Sequence, residues 1–279
     1  MVSSHTENTK RIAKNTLMLY VRMLFGMLVS LYTSRVILEA LGVEDYGIYN
    51  VVGGFVTMFS LLTGALSHST GRFLTFELGK NNMDGLRKYF STSLLIHIVL
   101  ACIILIVAET IGLWFLNAKM TIPSNRIYAA NWVYHCSVIS FMISLIGIPY
   151  NASIVSHEHM NMYAYIGIFD IILRLLIVLL MAYLPYTFDR LIVYAVLLVL
   201  AFLFVQSVYA LYCCRNFKEC RTHPVLYKSC WKKMWNFTGW NFIGGTALVL
   251  KDQGVNILLN LFYGPILNTV RGLSITVSN

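Results

Sequence analysis

The sequence predicts a polytopic, all-α membrane protein, and three observations carry that expectation. Apolar residues make up 58% of the 279 residues and charged residues only 12%, about half the share found in soluble domains. The mean hydropathy is +0.68. The apolar residues also fall in continuous runs, not in the period-two alternation of a membrane β-barrel. At roughly 20 apolar residues per span, the supply is enough for at most about eight spans. A soluble globular enzyme, a disordered chain and a disulfide scaffold are excluded on the same grounds.

The first apolar run covers residues 16–38, behind Lys10, Arg11 and Lys14. That start resembles a signal peptide, but the run is too long and no small-residue cleavage site follows, so it is read as a retained span. Further runs cover 46–69, 89–116, 127–156, 162–184, 191–213 and 235–262, and an eighth begins near Pro265. Lysine and arginine set the orientation. The amino terminus, the loop after span two (Arg72, Lys80, Arg87, Lys88) and the loop after span six (Arg215, Lys218, Arg221, Lys228, Lys232, Lys233) together carry 13 bases. The other side carries three, Lys119, Arg126 and Arg190. The amino terminus of this multi-pass protein is therefore expected in the cytoplasm.

The longest link, 214–234, is basic, contains Pro224 and follows six spans. It divides the chain into a six-helix unit over 1–213, a cytoplasmic linker over 214–234 and the first spans of a second unit over 235–279. A weak parallel repeat agrees: Lys10-Arg11 and Gly42 recur as Lys232-Lys233 and Gly264 at one offset of 222 residues.

Five bases lie inside the apolar runs: Arg22, Arg35, Arg174, Lys251 and Arg271. Three acids do too: Glu109, Asp170 and Asp252. Each such base or aspartate costs roughly 2.5–3.5 kcal/mol at mid-membrane, which makes it a candidate functional residue. Arg22 and Arg35 lie near span ends and could snorkel to the interface. Arg174 and Lys251 are deepest. Asp170 and Arg174 are spaced i, i+4 in the order that favours an ion pair. Asp252, Asn256 and Asn260 share one helix face, which predicts a water-lined cavity or an interhelical hydrogen-bond seam. The excess of bases suits an anionic ligand, above all a phosphate, which arginine can grip bidentately. Gly53-Gly54, Pro149 and Gly244-Gly245 are candidate breaks that would expose backbone there.

Catalytic and cofactor motifs are absent: the sequence holds no phosphate loop, no G-x-S-x-G and no H-E-x-x-H. His157-Glu158-His159 is read as a solvated turn in preference to a metal site. Of the six cysteines, Cys213, Cys214, Cys220 and Cys230 cluster near the basic link; reduced cytoplasmic thiols are preferred there over a zinc site with His223.

Several stretches resemble the bacterial polysaccharide flippases, the O-antigen or oligosaccharide-repeat-unit translocases of the superfamily that includes the MATE exporters. They are Leu41-Gly42 through Asp45-Tyr46-Gly47-Ile48, Arg72-Phe73-Leu74 through Glu77-Leu78-Gly79, and Ile148-Pro149-Tyr150-Asn151-Ala152 with Glu158 and Met160. The fullest is Lys251-Asp252-Gln253-Gly254 through Asn260, Gly264-Pro265, Asn268 and Arg271-Gly272. The resemblance implies a MATE-like fold of two parallel six-helix lobes around a central cavity, usually twelve or more spans. The chain is then expected to be a fragment or a truncated product holding the first lobe and the start of the second. It also implies transport of undecaprenyl-diphosphate-linked oligosaccharide by alternating access, within a lipid bilayer, with Na+ or H+ as optional coupling ion and no cofactor, nucleic acid or enzymatic step. Arg22, Arg35 and Arg271 resemble cavity bases that engage the diphosphate in related lipid flippases. Arg174, Lys251, Asp252 and Asn256 join them as substrate-binding candidates from depth and helix face. The rival readings are a cation-coupled multidrug exporter, which would favour acidic cavity groups, a membrane enzyme of glycan assembly, which would need a large catalytic outer loop, and a non-transporting scaffold, which leaves the buried bases without a purpose.

Overall fold

The computed structural model describes residues 2–57, 60–118, 122–183 and 189–244. Helix α1 (Val2–Thr57) is two helices meeting at Gly42, whose φ of 78° and ψ of 169° belong to a region open to glycine. The kink redirects the chain and places Glu44 and Asp45 in the first turn of the second segment, where the helix dipole favours acids. Helix α2 (Ser60–Gly79) follows. A tight turn leads into α3 (Met83–Val107), capped by Asn82, whose side-chain oxygen accepts from Gly85 N at 3.1 Å while its amide donates to Glu77 at 2.7 Å. Arg72, expected in the loop after span two, therefore sits on a helix that runs seven residues further, to Gly79.

A π-helical turn, Ala108–Gly112, joins α3 to α4 (Leu113–Ala118). The hydroxyl of fully buried Tyr134 donates to the Ala108 carbonyl at 2.7 Å, and a side chain competing for a ladder carbonyl is a recognised cause of such a bulge. Helix α5 (Ile127–Ser156) runs unbroken through Pro149, and α1 runs unbroken through Gly53-Gly54, so neither of these expected breaks forms. Helices α6 (Met160–Tyr183) and α7 (Arg190–Asn216), a 3-10 turn (Lys218–Arg221) and a helix over 228–244, here α8, complete the described chain. Among the described residues, five segments are long and apolar enough to cross a membrane: Asn15–Gly42, Met83–Ala118, Ile127–Ser156, Met160–Met181 and Arg190–Asn216. The predicted run over 46–69 is shared between α1 and α2.

Helix α5 is the centre of the bundle, packed by α1, α2, α3 and α7. Its Ala130, Val133, Tyr134, Leu145 and Ile154 are inaccessible to solvent. Helix α1 is the opposite case. It packs mainly on α6, and Leu17, Met23, Leu28 and Leu31 are each at least 60% exposed, a face that the other described helices leave uncovered.

Charged groups gather at both ends of the bundle. At one end, Arg126 donates Nε to Asp45 Oδ1 at 2.7 Å, a terminal nitrogen to Asp45 Oδ2, and Nη1 to Asp189 Oδ2 at 3.0 Å. Burial opposes the Arg126 charge, but the hydrogen bond and charge of Asp45, with Asp189, outweigh it and raise the pKa above that of a free guanidinium. Asp189 also caps α7 by accepting from Leu191 N and Ile192 N, and Arg190 donates to the Ala40 carbonyl just before the kink at 3.0 Å.

At the other end the turn 157–159 is not simply solvated, contrary to the sequence expectation. Buried Glu219 takes a hydrogen bond from His157 Nε2 at 2.5 Å. The His157 ring stacks on Phe217 at 4.0 Å, and His159 pairs with the Tyr212 hydroxyl at 2.7 Å. The link after α7 is likewise docked. The Ser91 hydroxyl donates to the His223 carbonyl at 2.6 Å and accepts from Val225 N at 2.7 Å. The Thr92 hydroxyl accepts from Tyr227 N at 3.2 Å. Phe237 of α8 lies edge-on to Phe73 and under the Arg72 guanidinium, which is 4.2 Å from its ring centroid. All six cysteines are free. A hydrogen bond with the Cys213 thiol, then burial, pushes the Cys220 thiol far above its usual range, which disfavours the reactive thiolate. Among the described residues no group of three or more His, Cys, Asp or Glu is arranged to hold a metal.

Candidate functional site

A cavity of about 470 Å³ opens between the post-kink part of α1 and helices α5, α6 and α7. Each wall follows from a local feature of the chain. The Gly42 kink brings Tyr49, Asn50 and Gly53 to the cavity. Helix α5 contributes Ser137, Ser140 and Phe141, and α7 contributes Phe202. Helix α6 contributes Arg174, the one charged residue in the lining among the described residues.

Arg174 is held from one side only. Its Nε donates to Asp170 Oδ1 at 3.0 Å, one helical turn back, as the i, i+4 spacing predicted. Its two terminal nitrogens make no hydrogen bond among the described residues, and its side chain is 44% exposed. The guanidinium carbon lies 5.9 Å from the Phe202 ring centroid. Tyr49 and Tyr194 meet edge-on at 5.2 Å beside it. The arrangement presents the free edge of a fixed cation, with two serine hydroxyls and an amide for polar contacts and aromatic rings for apolar ones. It is suited to an anion attached to a polar, ring-containing body.

The other candidate bases lie elsewhere. Arg22 lies along α6, its guanidinium 4.6 Å from the centroid of the Tyr163 ring. The missing side chain of Gly167 makes that approach feasible, since a Cβ there would stand 2.1 Å from Arg22 Nε. Arg35 pairs with Glu39 at 3.1 Å and points outward, 81% exposed. Lys251, Asp252, Asn256 and Arg271 lie outside the described residues. Glu109, one of the three acids in the apolar runs, pairs with His135 at 3.0 Å, joining the π-helical turn to α5. Sequence reasoning missed Tyr49, Asn50, Ser137 and Ser140. Two serines three residues apart in an apolar run were the available signal, because that spacing puts both on one helix face.

No protein-family model matches the sequence, and no curated protein matches it. Solved structures do. One is an outward-facing multidrug-resistance MATE-family transporter of the MOP superfamily, with a TM-score of 0.72 and 14% identity over 90% of this chain and 56% of that one. A second is a MOP-superfamily transporter from Pyrococcus furiosus with a binding pocket of reverse polarity, at a TM-score of 0.69 and 14% identity over 95% of this chain and 60% of that one. The chain thus spans less than two thirds of the length of the transporters it resembles. Over that length its helices follow theirs, and its fold is that of the MATE-like transporters of the MOP superfamily.

Proposed function

We propose that this chain belongs to a flippase that moves undecaprenyl-diphosphate-linked oligosaccharide from the inner to the outer leaflet for surface polysaccharide synthesis. The observation that carries this reading is Arg174, a cation on a cavity wall with its terminal nitrogens unengaged among the described residues. In this reading residues 1–213 form the first six-helix lobe, 214–234 the cytoplasmic link and 235–279 the start of a second lobe. Arg174 takes the anionic part of the substrate, while Asn50, Ser137 and Ser140 offer polar contacts to sugar hydroxyls. Arg22, Arg35, Lys251, Asp252, Asn256 and Arg271 complete the binding surface during alternating access. Export of a doubly charged diphosphate from a negative-inside cell is favoured by about 4.6 kcal/mol per 100 mV. Movement of charge down that gradient, with or without Na+ or H+, drives the cycle in the inner membrane, with the amino terminus in the cytoplasm.

The test is surface glycan in cells that depend on this protein, with its membrane level measured alongside. Arg174→Ala is expected to abolish export at normal protein level. Arg174→Lys should restore it in part, because lysine keeps the charge and loses the planar fork. Normal export with Arg174→Gln would overturn the proposal.

The likeness to a multidrug-resistance transporter, with Asp170 beside the cavity arginine, supports a second reading: a cation-coupled drug exporter in which Asp170 is the working group. Asp170→Asn separates the two. It would end drug efflux on the second reading and spare glycan export on the first.

A further inference from the structure

The link after α7 and the start of α8 form a second feature, outside the cavity. Ser91 and Thr92 hold residues 223–227 by their backbone. Val225, Leu226 and Tyr227 project outward, 47%, 45% and 37% exposed. In α8, Cys230 and Met234 are buried and fix the inner face. Lys228, Trp231, Lys232 and Trp235 follow at i, i+3, i+4 and i+7 on the opposite face, all exposed. The two indoles stack at 6.1 Å with an interplanar angle of 18°. Between Arg215 and Trp235 there are six bases and one acid. That acid, Glu219, is buried against His157 and cannot neutralise the surface. Lys88 adds a seventh base, its ammonium 5.9 Å from the centroid of the Tyr227 ring.

A face that alternates lysine with stacked tryptophan, just beyond the end of the α7 span, is complementary to the headgroup layer of a bilayer. Indoles favour the headgroup level of a bilayer, and lysines there attract negative headgroups. We propose that the strap and the first two turns of α8 are a binding surface for anionic phospholipid headgroups, with Lys228 and Lys232 pairing the phosphate and Trp231 and Trp235 seated among the acyl-chain necks. By holding the strap on α3, Ser91 and Thr92 keep this surface in place, so lipid charge acts on the element that joins α7 to α8.

The experiment is tryptophan quenching by brominated lipids, with the chain in bilayer nanodiscs. Trp114→Phe, Trp132→Phe and Trp240→Phe leave Trp231 and Trp235 as the only reporters. Brominated phosphatidylglycerol should displace phosphatidylcholine from the pair with about fivefold preference for each lysine engaged. That preference should collapse towards parity with Lys228→Gln plus Lys232→Gln. Salt of about 0.5 M should weaken it in the otherwise unmodified chain, a check that needs no lysine variant. Equal quenching by brominated phosphatidylglycerol and phosphatidylcholine would reduce the face to an apolar belt and overturn the proposal. No quenching by either lipid would show that protein covers the face, and would overturn it as well.

Discussion

Two arginines, Arg126 and Arg174, answer to aspartates in opposite ways. Arg126 bridges two of them, Asp45 and Asp189, on different helices, and its side chain is 22% exposed. Arg174 touches one, Asp170, on its own helix, and is twice as exposed, with its terminal nitrogens turned to a cavity. The first joins three parts of the chain: the segment after the Gly42 kink, the start of α5 and the start of α7. The second has its acid partner on its own helix, so its ion pair joins nothing that the helix does not already join. The difference lies in what remains available. A guanidinium whose fork is filled by the protein holds the fold, and one with an open edge is left for a ligand.

The comparison breaks first at Arg126. Arg126→Ala strands two partly buried carboxylates beside each other, and a loss on the order of 3 kcal/mol is expected. It would read as a large fall in thermal midpoint in detergent, with Arg126→Lys intermediate. An unchanged midpoint would mean that the cluster is not a clamp. A smaller loss is expected at the opposite end of the bundle. His157→Ala leaves Glu219 buried without its donor, at about 2 kcal/mol. The double change with Glu219→Gln should be milder than His157→Ala alone, because the stranded charge is gone. Additive losses in a double-mutant cycle would dissolve the pair.

The strap comes next. Ser91→Ala and Thr92→Val each remove hydroxyl contacts to the 223–227 backbone, at about 1 kcal/mol apiece. The readout is faster proteolysis within 222–228, and equal cleavage rates would mean that the strap is held by something else. The smallest effect on stability is expected at Arg174, where an exposed i, i+4 pair contributes only about 0.3–0.5 kcal/mol. Arg174→Gln should leave the thermal midpoint within a degree or two. A collapse like that of Arg126→Ala would make Arg174 a structural residue and erase the contrast.

Of the candidate site, the sequence made Arg174 and its partner legible. Depth in an apolar run marks a costly charge, and the spacing to Asp170 is local. It could not tell that Arg22 lies on Tyr163 while Arg35 faces outward with Glu39, because both sit at similar depths on one helix and only packing separates them. The docking of His157, in a turn whose Glu158 and His159 are exposed as expected, was not legible for a related reason. Its environment is set by Glu219, 62 residues away, and a buried carboxylate leaves no mark in local composition.

What the sequence alone determined is the class and course of the chain. Apolar run lengths follow the thickness of a bilayer and backbone hydrogen bonds must close within each span, so composition dictates helices and their approximate limits. Only tertiary structure decided which polar groups meet. It turned the helix at Gly42, brought Asp45, Arg126 and Asp189 together, laid the link along Ser91 and Thr92, and opened a cavity beside Arg174. Those contacts join residues from 63 to 135 positions apart. They depend on how helices lie against one another, which hydrophobic periodicity constrains by face but not by partner.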